Sequence, residues 1–195
     1  MPPVVSREMP SASRVNVDLV VVGGGIAGIC TAISAARLGL KVELVQDRPI
    51  LGGANSSEVR VHLGGYQNLG PYPRLGDVVA EIGPAKGGNA QPAERYEDDR
   101  KMAAVKAEKN ITLVLNCRLV GVVPCGGGAT GKRIASVIGR DVVTGVRTRF
   151  VAPLFVDCTG DGCVGETSNS IPPMRFTKSR TCLRFHSSCA EYAKC

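Results

Sequence analysis

Gly23, Gly25 and Gly28 stand in the spacing G-x-G-x-x-G, inside the stretch "VVVGGGIAGICTAISAARLGLKVELVQD" that runs from Val20 to Asp47. That spacing can hold a pyrophosphate. The first glycine permits a tight turn, the second has no side chain to hold the phosphates off, and the third lets the following helix pack closely on the preceding strand. A helix starting there aims free N–H groups and the positive end of its dipole at the phosphates. A valine at Gly25 would block that path and, through the loss of glycine's conformational freedom, disfavour the turn. The hexapeptide is short, so its meaning comes from the elements around it.

Those elements read as strand, turn, helix, strand. "DLVVV", Asp18–Val22, is an apolar run suited to a buried parallel strand. Ile26, Ile29, Cys30 and Ile33 then recur at helical spacing with alanines between them, and Gly39 is placed to stop the helix. "KVELV", Lys41–Val45, reads as the second strand. The residue closing it should bind the adenosine ribose, and an acid is usual there. Here the position is Gln46, with Asp47 next. An amide can bond a ribose hydroxyl, more weakly than a carboxylate. Arg48 would suit a 2′-phosphate, so this turn by itself leaves FAD, NAD and NADP open.

Two later features favour FAD. Gly52-Gly53 follows the second strand within a few residues, and "LFVDCTGDG" closes a strand far downstream. With the glycine turn they resemble the three-part signature of two-dinucleotide-binding-domain flavoproteins. The stretch "DLVVVGGGIAGICTAISAARLGLKVELVQDRPILGGANSSEVRVHLGG" is similar to the start of the FAD-dependent oxidoreductase family related to the flavin subunit of heterodisulfide reductases. The resemblance covers about residues 18–165.

The resemblance implies an α/β, Rossmann-like FAD-binding domain: a parallel sheet, flanking helices, and a β-meander before the last strand. It implies a non-covalent FAD with its pyrophosphate at Gly23, Gly25 and Gly28, and ribose contact near Gln46 and Asp47. It further implies close backbone approach at Gly52 and Gly53 and closure by Thr159, Gly160 and Asp161, with Asp161 at the ribityl or pyrophosphate region. The implied activity is hydride transfer from a small-molecule substrate to FAD, which an electron acceptor reoxidises. The sequence names neither substrate nor acceptor. Some relatives carry iron–sulfur clusters. This chain has no C-x-x-C repeat, and no cluster is expected in it.

Beyond the doublet, His62 and Arg60 are candidates for chemistry. In the resembling fold this segment runs towards the flavin ring, where His62 would serve as an acid–base group and Arg60 would anchor an anion. The plainer alternative is a polar loop that bonds to itself. Cys158 and Cys163 are similar in spacing to a flavin-linked dithiol. The flavin disulfide reductases, however, place theirs just after the second glycine doublet, where this chain has Ala54-Asn55-Ser56-Ser57. The simpler reading is two small buried thiols.

The bulk properties bound these readings. A hydrophobic content of 44% with 24 glycines is globular. Aromatics make up only 4% and Trp is absent, so any core must be built from Val, Ile, Leu and Ala. A net charge of +7 suits an anionic cofactor, but no basic run or aromatic-basic pattern points to nucleic acid. No stretch has the length of a membrane span or the form of a secretory signal. The eight cysteines are therefore expected as free thiols in a reducing, cytoplasmic setting.

Residues 1–17 read as a flexible leader, residues 18–165 as the FAD-binding domain, and residues 166–195 as an unpatterned tail. Within the domain, residues 48–92 are rich in Gly, Pro, Asn and Ser, with one helical piece near Asp77–Ile82. A charged helix is predicted over Pro92–Lys109, a strand over Ile111–Val123, two strands around a Thr144-Gly145 turn, and a last strand at Leu154–Asp157. The tail holds three of the eight cysteines and has no period of 2 or 3.6 residues, and is read as a frameshift or a mispredicted gene end. On that reading a substrate domain and a closing segment are missing. The chain as written is then expected to be inactive, a partial dinucleotide-binding module. An NAD(P)-dependent dehydrogenase is the third alternative, disfavoured by the doublet and by "TGDG".

Overall fold

The computed structural model describes residues 14–65, 68, 70–125 and 133–167. In chain order the first elements are β1 (Arg14–Asn16), β2 (Leu19–Val22), α1 (Ile26–Arg37) and β3 (Val42–Val45). After a long loop come α2 (Asp77–Ile82), a 3-10 turn (Ala93–Tyr96) and α3 (Asp98–Ala107). The last part comprises β4 (Ile111–Val114), β5 (Cys117–Cys125), β6 (Arg133–Asp141), β7 (Arg147–Val151), β8 (Leu154–Asp157) and α4 (Cys163–Thr167).

β2 and β3 are buried at every position, as strands covered on both faces must be. They form the centre of an all-parallel sheet of order β4-β3-β2-β8. One face carries α1: Ile29 and Ile33 are fully buried against Val21, Leu44, Ile82 and Val105. Each such side chain contributes about 1.5–3 kcal/mol by leaving water. The helix ends where Gly39, at φ +93°, turns left-handed, and the Leu40 N–H donates back to the Ala35 carbonyl at 3.1 Å. The other face packs Val20, Val22 and Val45 against Val137 and Phe150 of a second sheet. That sheet has the order β1-β7-β6-β5 and contains the antiparallel meander β5-β6-β7.

Three boundaries differ from the sequence expectation. The charged helix expected over residues 92–109 is a 3-10 turn and then α3, separated by Glu97 in a left-handed conformation at φ +47°. The break lets Tyr96 point inward, with 2% exposure. The strand expected over residues 111–123 is two strands. Asn116, at φ +55°, turns the chain out of the parallel sheet and into the meander, a conformation asparagine tolerates better than most residues. Finally, Arg14–Asn16, assigned to the leader, pair with Arg149–Val151 as a parallel edge strand. That pairing is made by backbone and leaves no mark in side-chain periodicity. Residues 126–132, the earlier part of the leader, and the tail from residue 168 with Cys182, Cys189, Cys195 and His186 lie outside the described residues.

One core residue departs from the pattern. Glu43, in the middle of β3, is 2% exposed and its Oε2 has no hydrogen-bond partner. Burial pushes its carboxyl up to about 7.

Candidate functional site

The sheet order sets where a ligand can enter. The chain runs from β2 to β3 to β4 in one direction, then returns to place β8 on the other flank of β2. In open α/β sheets the crevice outside the strand carboxyl ends, at such a reversal, is the ligand position. Val22, Val45 and Asp157 lie side by side in register at that end. A cavity of about 340 Å³ opens just beyond them, within the usual range for small-molecule sites.

The glycine turn forms one wall. Gly23 has φ +105°, and a Cβ on it would run into the Cys158 carbonyl. A Cβ on Gly28 would run into the Gly23 carbonyl. These two are glycines because the protein leaves no room. Gly25 is different. Its φ of −70° and ψ of 179° are open to any residue, and a Cβ there would meet nothing nearer than Gly53 Cα at 4.0 Å. The expectation that valine would disfavour the turn at Gly25 is therefore corrected, because the backbone there is ordinary and only the space in front of it is special. α1 begins at this point with no side-chain cap and no acid in its first turn, so its leading N–H groups have no capping side chain.

Gly23 and Gly25 line this cavity together with Gln46 and Asp47 from the end of β3, Gly53 from the doublet, and Thr159, Gly160 and Asp161 after β8. Gly28 and Gly52 lie behind it, holding the lining backbone in place. Gly52 donates its N–H to the Gly24 carbonyl at 2.8 Å and bridges to Gly25. Gln46 is buried, and its amide is already engaged. Oε1 accepts the Gly24 N–H at 2.7 Å, and Nε2 donates to the Ile50 carbonyl at 3.2 Å. Asp47 beside it is exposed. Arg48 also lines the cavity, with its guanidinium paired to Glu58 at 2.9 Å.

Arg60 and His62 do not line this cavity. Both are exposed. Arg60 sits at φ +62° and donates from Nε to the Ser57 carbonyl at 2.9 Å. His62 Nδ1 accepts the Gly88 N–H at 3.1 Å, and its backbone N–H donates to Asn89 Oδ1 at 2.6 Å. Cys158 and Cys163 do line it and are free thiols. Burial pushes the Cys158 thiol up, opposite to the shift a nucleophilic thiol needs.

The structure adds residues that sequence reasoning passed over. Cys117, Arg118 and Leu119 of β5 close the side of the cavity near Asp47. They arrive through the turn at Asn116, for which no local pattern exists. Asp157 organises the opposite rim. Its Oδ1 accepts the Thr159 hydroxyl at 2.7 Å and the Thr159 N–H at 3.1 Å, and its Oδ2 accepts the Val164 N–H at 2.8 Å. The acid placed directly before "CTGD" was the available signal. Among the described residues no group of three or more His, Cys, Asp or Glu could hold a metal ion, and no helix is long and apolar enough to cross a membrane.

Comparison with known proteins agrees with this geometry. Residues 18–170 match the family model described as FAD dependent oxidoreductase. Aerobic glycerol-3-phosphate dehydrogenase of Bacillus subtilis (strain 168) is 32% identical over 77 residues, which is 40% of this chain and 14% of that protein. The enzyme of the same name from Staphylococcus aureus (strain USA300) is 39% identical over 66 residues, 34% of this chain and 12% of that protein. The chain thus matches only a small part of the length of these curated relatives. Among solved structures, Thermovibrio ammonificans THI4 superposes with a TM-score of 0.56 at 18% identity, covering 82% of this chain and 64% of that one. The 3-ketosteroid-delta4-(5alpha)-dehydrogenase of Rhodococcus jostii RHA1 superposes at 0.52 with 14% identity, covering 80% and 48%. These likenesses concern the fold. With a parallel sheet, a glycine turn at its reversal point and a family match across nearly all of the described residues, the chain belongs to the FAD dependent oxidoreductase family, and its dinucleotide is FAD.

Proposed function

We propose that this cavity holds the ADP half of FAD and that the protein carries out hydride transfer from a small-molecule substrate. The observation that carries the site assignment is Gly25. Neither its backbone angles nor its neighbours require glycine, so the missing side chain is accounted for by a ligand in front of it. The uncapped start of α1 supports the same placement, since a pyrophosphate would accept its N–H groups.

In this reading the pyrophosphate lies over Gly23 and Gly25, with Gly53, packed against Gly25, at its edge. Asp47, exposed beside the engaged Gln46, bonds the ribose hydroxyls. The adenine then extends to the wall formed by Cys117, Arg118 and Leu119. Glu58 holds the Arg48 guanidinium, which favours a ribose without a 2′-phosphate. Thr159, Gly160 and Asp161 close the rim towards the ribityl chain. FAD, when bound, supplies the two-electron acceptor for the hydride. The chain's own task is to position it and exclude water from it. Arg60 and His62, on the loop leaving the doublet, are the candidates for anchoring an anionic substrate and for acid–base work. The glycerol 3-phosphate named for the curated relatives does not carry over from matches of 14% and 12% of their length.

The test is a titration of the purified chain with FAD, NAD and NADP in parallel, followed by flavin fluorescence and the visible spectrum. Saturable uptake of FAD alone is expected. A colourless protein that takes up NAD and not FAD overturns the reading.

A further inference from the structure

Lys101 of α3 has no exposed surface. A lysine so placed is costly unless its ammonium is held. Its Nζ donates to the Tyr96 carbonyl and lies 3.8 Å from Asp98 Oδ1. Burial pulls the ammonium below the ordinary lysine range, and Asp98 opposes that shift. Lys101 does not line the cavity.

Its stem accounts for its position. A Cβ built on Gly52 would stand 3.0 Å from Lys101 Cδ and 3.1 Å from Cε. On the opposite side, the Gly52 N–H donates to the Gly24 carbonyl at 2.8 Å, and a Cβ on Gly53 would stand 3.0 Å from Gly25 Cα. The doublet backbone is therefore layered between the glycine turn and the lysine stem. The residues that hold the ammonium also hold the rest of the loop. Asp98 accepts the Ser57 N–H at 3.1 and 3.2 Å. The Tyr96 hydroxyl donates to the Arg60 carbonyl at 2.6 Å and accepts the Gln91 N–H at 3.2 Å.

We propose that Lys101 is the positioning residue that presses the Gly52-Gly53 loop onto the glycine turn, and through that loop sets how firmly the pocket keeps FAD. Its stem backs the doublet, and its ammonium ties that backing to Tyr96 and Asp98, which fix residues 60 and 57. Loop and helix then move as one unit. The effect on FAD rests on the site assignment above, whereas the effect on the loop does not.

Lys101→Met keeps the length of the stem and removes the tether. In the full chain without FAD, amide exchange at Gly52 and Ser57 is expected to speed up at least about tenfold, with amides of β2 and α1 unchanged. The thermal midpoint should fall only modestly, because the Tyr96 carbonyl and Asp98 lose their partner while the desolvated ammonium is removed. With FAD bound, its release should accelerate by a similar factor. Unchanged protection at Gly52 and Ser57 overturns the proposal, as does FAD release that speeds up only in step with a lower midpoint. Should Lys101→Met fail to fold, Asp98→Asn is read by the same exchange experiment and must loosen Ser57 and Gly52, or the proposal falls. An unsubstituted chain that binds no FAD overturns the site assignment and leaves the exchange result to decide the role of Lys101.

Discussion

Gln46 and Gly24 are joined by one buried hydrogen bond across 22 positions of sequence, with Oε1 accepting the Gly24 N–H at 2.7 Å. The end of the second strand thus holds the middle of the glycine turn. Gln46→Leu leaves a buried N–H without a partner, at a cost of about 1–3 kcal/mol. The thermal midpoint of the FAD-free chain should fall, and FAD affinity should fall with it. An unaltered midpoint would show that the turn stands without this bond.

Gly25→Val separates ligand space from folding. The backbone angles at Gly25 suit valine and no protein atom blocks its Cβ. Stability without FAD should change by no more than about 1 kcal/mol, the scale of a helix N-cap substitution. FAD affinity should drop more than about tenfold, equivalent to ~1.4 kcal/mol. Gly28→Val is the contrast, since its side chain would collide with the Gly23 carbonyl and the chain should not fold. Circular dichroism and FAD titration of the two variants check the pair. Unchanged flavin uptake by Gly25→Val would remove the phosphate from this turn.

Asp157→Ala should loosen the rim after β8. The carboxylate caps α4 through Val164 and holds Thr159. Because Asp157 is exposed, the cost is expected at about 1 kcal/mol, as for other N-cap losses. Urea unfolding measures this, and FAD release from the variant should be faster. Release at the unsubstituted rate would show that the rim does not hold the cofactor.

Glu43 predicts a pH dependence. Its folded carboxyl is pushed up to about 7 from an ordinary 4.5 by burial. The folded state therefore keeps the proton when the unfolded state has lost it. Stability falls as pH rises from the ordinary carboxylate range through about 7, by on the order of 3 kcal/mol, and changes no further above that. Glu43→Leu should abolish this fall and be more stable than the unsubstituted chain at pH 8, with a smaller difference at pH 5. Urea unfolding of both proteins at the two pH values is the check. Parallel curves would mean that Glu43 is ionised within the fold or reached by water.

The sequence determined the strand, glycine turn, helix and second strand, because each depends on residues within a few positions of one another: an apolar run, a fixed glycine spacing, isoleucines at helical intervals. It also marked the doublet and Thr159-Gly160-Asp161 as parts of one signature, and the structure places Gly53 and those three residues around one cavity with Gly23 and Gly25. Tertiary structure decided what each does. Gly23 and Gly25 look alike in sequence, yet one is required by a neighbouring carbonyl, whereas the fold itself leaves room for a side chain at the other. The left-handed residues Glu97 and Asn116 interrupt the regular helix and strand where Tyr96 and Cys117 are buried, a gain that arises only from distant partners. Lys101 reads as one cation in a charged run until α3 packs under Gly52. Side-chain periodicity reports which face of an element is apolar, whereas the partner of a buried polar group is set by how the chain crosses itself.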